Sequence, residues 1–262
     1  MMVRFSPFHL VDASPWPILS AFGAFTLVGG LVSMLHQDVF IVFFFGTGLV
    51  FILAILWWRD VDREASLLGF HTKGVQKNLY SGMIWFIMSE IFFFLGFFWT
   101  FFHSGLNSVV ELGMEWPPMG VLVLNPTGVP LLNTAVLISS GITVTCSHYS
   151  LVISNYYSCA IWLLVTIGLG VFFTGLQYME YLESSFGMND SVYGSIFFMA
   201  TGFHGFHVLI GSMFLFVSFL RILGGKVSGN RHVGFECAIW YWHFVDVVWI
   251  FLFICLYGWG SL

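Results

Sequence analysis

Long apolar stretches alternate with short polar stretches along the whole chain, and this pattern predicts its secondary structure. The apolar stretches reach the length of about 20 residues that an α-helix needs to cross the hydrocarbon core of a bilayer. No proline lies in the interior of any of them, as expected for continuous helices. We predict seven transmembrane helices, at Trp16 to Leu35, Val39 to Trp58, Leu79 to Phe102, Leu131 to Leu151, Ile161 to Leu182, Val192 to Leu220 and Val233 to Trp259.

The composition agrees with helices in lipid and argues against a water-soluble protein. Hydrophobic residues make up 58% of the chain and charged residues only 8%, whereas about a quarter of the residues of an average soluble domain are charged. The net charge of −5, with eight Lys and Arg residues, also argues against a nucleic-acid partner. We therefore expect an all-α polytopic membrane protein that forms a single transmembrane domain over residues 1–262.

The distribution of charge supports the number of helices and predicts their orientation. With seven spans, all basic residues fall on one side of the membrane, which the positive-inside rule identifies as the inner side. The N-terminus is therefore predicted on the inner side and the C-terminus on the outer side. The basic residues are Arg4, Arg59, Arg63, Lys73, Lys77, Arg221, Lys226 and Arg231, and the acidic residues opposite them are Asp38, Glu111, Glu115, Glu183 and Asp190.

Glu90 is the most isolated charge, because no other charged residue lies within the third apolar stretch, Leu79 to Phe102. A carboxylate is costly at the centre of a transmembrane helix, and burial favours its neutral form. One interpretation is that Glu90 handles protons or contacts lipid. The other is that it is a protonated side chain that bonds to a neighbouring helix. The sequence favours neither interpretation over the other.

Four polar residues of the last predicted helix share one face. At 100° per residue they fall within an arc of about 80°, so they form a polar stripe on an otherwise apolar helix. The stripe is expected to face protein. Interhelical hydrogen bonding is the favoured interpretation and a proton relay is the alternative. The four residues are His232, Glu236, His243 and Asp246.

The sequence contains few patterns that are typical of metal sites. His204 and His207 lie three residues apart and in principle could share a metal, but the paired Glu-x-x-His motifs of carboxylate-bridged metal bundles do not occur. The four cysteines have no metal-binding spacing. We therefore expect no metal and no haem in this chain. Arg221 is either an ordinary positive-inside residue or a phosphate contact.

Several motifs, in order along the chain, resemble those of one family. They are PFHLVDASPWP at Pro7 to Pro17, WWRDVDRE at Trp57 to Glu64, HTKGVQK at His71 to Lys77, SEIFFFLGFFW at Ser89 to Trp99, WPP at Trp116 to Pro118, LNPTGVPLLNT at Leu124 to Thr134, DSVYGSIFFMATGFHGFHVLIGS at Asp190 to Ser212 and HVGFECAIWYWHFVDVVW at His232 to Trp249. With these motifs the chain resembles subunit III of the haem-copper cytochrome c oxidases from end to end.

The resemblance implies a fold and a set of site residues. The first two helices are expected to be separated from the other five by a V-shaped cleft that bound phospholipids fill. Glu90 matches the intramembrane glutamate of the family. The positions that match lipid-associated residues of the family are Trp58, Arg63, Glu64, His71, His207 and Arg221.

The resemblance also implies a function. Such a subunit has no catalytic centre and supports the proton uptake and stability of subunit I, the oxygen-reducing, proton-pumping partner that holds haem a and copper. Subunit II, accessory subunits and membrane phospholipids are the other expected partners, in respiratory complex IV of the mitochondrial inner membrane or in a bacterial plasma membrane. The alternative from a different class is a proton-coupled transporter that uses Glu90 and the polar stripe of the last helix.

Overall fold

The structure, a computed structural model, consists of seven long helices, as predicted. It describes residues 9–108 and 113–261, without the side chain of Ser261, so Arg4, Pro7 and Glu111 lie outside the described residues. The chain ends in a π-helical turn, Phe253–Gly258, and a 3₁₀ turn, Trp259–Ser261. The helices are α1 (Trp16–Gln37), α2 (Ile41–Ser66), α3 (Lys73–Leu106), α4 (Val129–Val152), α5 (Tyr156–Glu183), α6 (Val192–Leu223) and α7 (Val233–Leu252).

Several helices continue past the apolar stretches from which they were predicted. Helix α3 extends by about a turn or more at both ends, and α2 continues into the polar segment that ends at Ser66. Polar side chains can lie in the headgroup region, so a helix need not end where the hydrocarbon ends. The start of α5 is fixed by Asn155, whose side chain accepts a hydrogen bond of 3.1 Å from the Ser158 amide.

The helices fall into two compact units, Met1–Leu79 and Tyr80–Leu262. In the first unit, α1 and α2 pack through glycines at backbone contact. A Cβ atom at Gly30 would lie 2.5 Å from the Phe43 nitrogen, and one at Gly46 would lie 2.6 Å from the Leu27 nitrogen. Small residues allow this approach in membranes, where dispersion contacts replace the hydrophobic effect between helices. The short turn between α1 and α2 makes this pair antiparallel.

The second unit has a core rich in aromatic side chains, and 12 of the 20 residues of α7 are buried. Trp242 is fully buried, and its indole nitrogen donates a hydrogen bond of 2.9 Å to the Ser140 hydroxyl of α4. The indole nitrogen of Trp249 likewise donates a hydrogen bond of 3.0 Å to the Thr134 hydroxyl of α4. Each indole is thereby satisfied inside the bundle, which holds α7 against α4 at two depths.

Gly170 of α5 explains how Trp242 fits. A Cβ atom at this position would lie 2.6 Å from the end of the Trp242 ring and 2.8 Å from the Ser212 hydroxyl of α6. A glycine on α5 therefore makes room for the largest side chain of α7. The single-domain organisation of the whole chain stays a prediction.

Candidate functional site

The carboxylate singled out in the sequence meets a histidine of another helix. Glu90 lies at the middle of α3 and His207 at the middle of α6. The Oε2 atom of Glu90 is 2.9 Å from Nε2 of His207. The second ring nitrogen, Nδ1, is 2.6 Å from the carbonyl oxygen of Phe203, one turn earlier on the same helix. Both nitrogens of the ring therefore have a partner.

The partners of His207 determine how many protons the pair holds. A carbonyl oxygen can only accept, so Nδ1 carries a hydrogen. A carboxylate facing the lone pair of Nε2 at 2.9 Å would be repelled, so one proton must lie between Nε2 and Oε2. The pair is then either a neutral acid bonded to a neutral imidazole or a carboxylate bonded to an imidazolium. Its net charge is zero in both forms.

Aromatic rings surround the His207 side chain of this pair. Phe94 meets the His207 ring edge-on with centroids 5.2 Å apart, Tyr241 stacks on it at 6.2 Å and Phe244 lies at 6.3 Å. The His207 side chain is 9% exposed and the Glu90 side chain 23%. Glu90 is thus the half-buried end of the pair and His207 the buried end.

The polar stripe on α7 makes its contacts with α3 and α4. Glu236 accepts a hydrogen bond from the Tyr80 hydroxyl of α3. His232, the residue that precedes α7, lies 3.2 Å from His148 of α4, nitrogen to nitrogen. The stripe therefore contacts neighbouring helices at its N-terminal end.

The C-terminal half of the stripe has weaker hydrogen bonds than the N-terminal half. His243 Nε2 is 3.5 Å from the Thr145 hydroxyl of α4, and His243 Nδ1 is 3.7 Å from Asp246 Oδ2. The other oxygen of Asp246, Oδ1, is buried and has no hydrogen-bond partner among the described residues. A separation of 3.5 Å is the outer limit of a hydrogen bond and 3.7 Å lies beyond it, so Asp246 is a buried carboxyl group without a short hydrogen bond.

The lipid-associated candidates of the first unit lie in the C-terminal part of α2 and just after it. Trp58 and Arg63 are exposed, and Arg63 lies 4.0 Å from Asp60. Glu64 Oε2 is 2.9 Å from His9 Nε2, and the His9 ring meets the His71 ring edge-on at 5.5 Å. The Arg63 guanidinium is therefore exposed, whereas the Glu64 carboxylate is bonded to His9 of the same unit.

The remaining candidates belong to the second unit. Arg221 is half-buried near the end of α6, and a Cβ atom at Gly234 would lie 2.9 Å from its Nη1 atom, so the guanidinium lies against the start of α7. His207 contacts Glu90, as described above.

The Nε2 atom of His204 lies 3.2 Å from the Val245 carbonyl oxygen. Over residues 9–108 and 113–261, no three His, Cys, Asp or Glu side chains converge in a way that could hold a metal.

Comparison with known proteins identifies the family. The family model for cytochrome c oxidase subunit III matches residues 6–261. Proteins named cytochrome c oxidase subunit 3 from Anopheles quadrimaculatus and Drosophila melanogaster are each 54% identical over 255 residues, which is 97% of either chain. The relative of the same name from Patiria pectinifera is 54% identical over 260 residues, 99% of this chain and 100% of its own. The chain belongs to the cytochrome c oxidase subunit III family.

Family membership confirms the resemblance that the sequence motifs indicated. The segment that holds Glu90 and the segment that holds the polar stripe lie on α3 and α7, two helices of the second unit. Within the subunit III fold, Glu90 and Glu236 thus face α6 and α3 respectively, through His207 and Tyr80.

A second carboxyl group within a transmembrane helix was not predicted from the sequence. Glu180, near the end of α5, is 3% exposed. Its Oε1 accepts hydrogen bonds from the Tyr257 hydroxyl at 2.5 Å and from the Gln177 amide at 3.4 Å, and Gln177 in turn accepts from Asn133 at 3.5 Å. Tyr257 lies on the π-helical turn after α7. The sequence signal was the Gln177 and Glu180 pair, one turn apart in an apolar stretch.

Proposed function

We propose that this chain is a non-catalytic subunit of a cytochrome c oxidase and that it supports the oxygen-reducing subunit by holding a protonated acid–base pair and phospholipid within the membrane. The observation that carries the proposal is the Glu90–His207 pair, 2.9 Å apart at the middle of two transmembrane helices. Membership of the family favours this function over that of an independent proton-coupled transporter. Haem a and copper are expected in partner subunits, principally the oxygen-reducing one.

The pair suits a supporting role because it holds one proton at no net charge. A lone carboxylate at mid-membrane would be costly, and removal of the proton would leave an uncompensated charge between apolar rings. The proton shared by Glu90 and His207 is therefore retained unless a pathway brings an acceptor to the partly exposed side of Glu90. His207 is itself held by its bond to the Phe203 carbonyl oxygen. It thereby orients the Glu90 carboxyl group.

Phospholipid headgroups are proposed to bind at the inner ends of the helices in both units. Trp58 and Arg63 are available at the surface of the first unit, with Glu64 and His71 beside them. Arg221 lies near the corresponding inner end of α6, and His207 would lie deeper, beside the acyl chains. Arginine favours phosphate because it binds two oxygens at once. The acyl chains are expected to pack on the apolar surfaces of these helices.

Gentle removal of the chain from the purified oxidase tests the supporting role. The haem spectrum and copper content of the remaining enzyme are expected to stay nearly unchanged. Oxygen consumption is expected to begin normally and then to decline faster over repeated turnovers, as proton delivery becomes limiting. Loss of haem or copper in proportion to loss of the chain would contradict the assignment. A preparation in which the chain never accompanies a haem-bearing partner would contradict it as well.

Matched arginine variants test the lipid proposal. Arg63→Gln and Arg221→Gln are expected to reduce the phospholipid that a native mass measurement detects on the oxidase. Arg59→Gln and Arg231→Gln are the controls, because Arg59 contacts Asp60 at 3.1 Å and Arg231 is an exposed loop residue. An equal loss in all four variants would indicate only a general attraction to anionic lipid and would reject specific binding.

The proposed location is the mitochondrial inner membrane, with the N-terminus on the matrix side. Segregation of the basic residues on one side of the seven spans supports this orientation. Accessibility labelling is expected to find the connections at 67–72 and 224–232 on the same, inner side. Labelling from opposite sides would rule out the orientation.

A further inference from the structure

Two histidines of the second unit face each other, and the proposed function does not use them. His148 lies about one turn before the end of α4, and His232 is the residue that precedes α7. Their Nε2 atoms are 3.2 Å apart, and both residues are partly exposed. The two positions are separated by 84 residues in the chain, so no spacing motif could have revealed the pair.

The distance between the two nitrogens suits a shared metal ion. Zinc is bound by imidazole nitrogens at about 2.0–2.1 Å in tetrahedral geometry, which places two ligand nitrogens roughly 3.3–3.4 Å apart. The Nε2 atoms of His148 and His232, at 3.2 Å, are close to this separation. A small rotation of the two rings therefore brings both lone pairs onto one ion.

The second ring nitrogen of His232 has the kind of partner that histidine ligands have in metal sites. Nδ1 of His232 lies 3.2 Å from the Ser228 carbonyl oxygen, so Nδ1 carries a hydrogen and Nε2 of the neutral ring offers a lone pair. A carbonyl partner of this kind fixes the orientation and the tautomer of the ligand. The same carbonyl oxygen accepts a hydrogen bond of 3.0 Å from the Arg231 amide. His232 is therefore oriented before an ion binds.

Glu236 supplies a negative charge beside the two rings. It lies one turn after His232, whose carbonyl oxygen accepts a hydrogen bond of 3.0 Å from the Glu236 amide. The Glu236 side chain accepts a hydrogen bond from Tyr80 and interacts electrostatically with His148. Among the described residues no group of three His, Cys, Asp or Glu side chains could hold a metal, so water molecules would complete the coordination.

We infer that His148 and His232 form a binding site for a divalent transition-metal ion of the zinc type. Imidazole is a good ligand for zinc, whereas Ca²⁺ and Mg²⁺ prefer oxygen ligands. With only two protein ligands the ion exchanges with the surroundings, so the expectation that the chain holds no resident metal is unchanged. A bound ion links the end of α4 to the start of α7. The inference goes beyond the proposed function, because both ligands belong to this chain.

Zinc binding to the purified complex that contains this chain tests the site. After equilibration with micromolar Zn²⁺, His148→Gln and His232→Gln are each expected to retain one zinc ion fewer than the wild type. Their affinity should fall at least about tenfold, because even the loss of a group that merely orients a ligand has an effect of this size. Glu236→Gln should weaken binding less. His36→Gln is the control, because His36 is an exposed histidine in the last turn of α1. Equal zinc contents in the wild type and both glutamine variants of the pair would overturn the inference.

The double variant, with His148→Gln and His232→Gln combined, distinguishes one shared site from two separate sites. It is expected to retain as much zinc as either single variant, because both substitutions remove the same ion and their effects are not additive. A further loss of one zinc ion in the double variant would show that each histidine binds its own ion and would overturn the shared site.

Chemical modification of the wild type tests the site without any variant. Diethyl pyrocarbonate modifies imidazole nitrogens, and peptide mass spectrometry identifies the modified positions. Zn²⁺ is expected to abolish modification of His148 and His232 and to leave that of His36 unchanged. Equal modification of the pair with and without Zn²⁺ would contradict the inference. A chain that binds zinc in this way but never copurifies with a haem-bearing partner refutes the proposed function alone.

Discussion

Glu90 and Glu180 are both carboxyl groups within transmembrane helices, but their exposure and their hydrogen-bond partners differ. Glu90 lies at the middle of α3, and its side chain remains 23% exposed, with one partner, His207. Glu180 lies near the end of α5 and is 3% exposed, with Tyr257 and Gln177 bonded to one oxygen. The residue that is deeper in the membrane is therefore the less buried in protein.

Depth in the bilayer and burial in protein are therefore separate properties. Position along a transmembrane helix measures depth in the bilayer, whereas the neighbouring helices determine burial in protein. Glu180 connects α5 to α4 through Gln177 and Asn133, and to the last turns of the chain through Tyr257. We therefore expect Glu180 to contribute mainly to stability and Glu90 to contribute mainly to protonation chemistry. The following variants test this division, from the largest expected effect to the smallest.

Glu180→Ala is expected to have the largest effect on stability. The substitution removes the acceptor of the Tyr257 and Gln177 hydrogen bonds and leaves a cavity in the core, which together should cost about 3–5 kcal/mol. Thermal inactivation of the purified oxidase measures the loss. Glu183→Ala is the control, because Glu183 is exposed at the end of the same helix. Equal stability of the two variants would show that Glu180 is not part of the packed core.

Tyr257→Phe removes only one hydroxyl group from the same cluster. The 2.5 Å bond to Glu180 is lost, and the acid keeps only the longer bond from Gln177, so we expect a cost of about 1–3 kcal/mol. The ring keeps its packing against Trp249 and Phe197. Tyr178→Phe, at an exposed position of α5, is expected to have no effect. A similar loss in both variants would point to a general effect of tyrosine removal.

Glu90→Ala is expected to destabilise less than Glu180→Ala, by about 1–2 kcal/mol, because Glu90 is half-exposed and leaves one unpartnered nitrogen on His207. The same thermal assay compares the two alanine variants directly. Ser89→Ala is a control on the same helix, where the hydroxyl bonds only to the Phe86 carbonyl of its own helix. A greater loss for Glu90→Ala than for Glu180→Ala would reverse the proposed division.

Glu90→Gln is expected to change stability by less than about 1 kcal/mol, because its amide can donate to the Nε2 atom of His207. Its effect should appear in infrared spectra instead, as loss of one signal from the proton that the pair shares. His207→Ala tests the same proton from the other side and should shift the Glu90 carboxyl band. Spectra of Glu90→Gln that match the wild type at every pH would contradict the assignment of a proton to this pair.

The sequence predicted best those features that depend on a single physical constraint. The seven helices and their order were predicted correctly, because each apolar stretch must form helical hydrogen bonds to cross a bilayer. The ends were less accurate, as at α3, because polar residues in the headgroup region can remain helical. Glu90 was found because no other charge lies near it in the chain. Glu180 was missed because it precedes Glu183, which appeared to begin the outer connection.

By itself, the sequence determined that this chain spans a membrane seven times, to which family it belongs and that Glu90 is a carboxyl group within a span. Those properties follow from hydropathy, charge segregation and ordered motifs, which can all be read along the chain without knowing which helices meet. Only the tertiary structure decided that Glu90 meets His207, that Glu180 meets Tyr257 and that Asp246 lacks a strong partner. Helical periodicity fixes the face on which a residue lies, but the packing of several helices in lipid decides which faces meet.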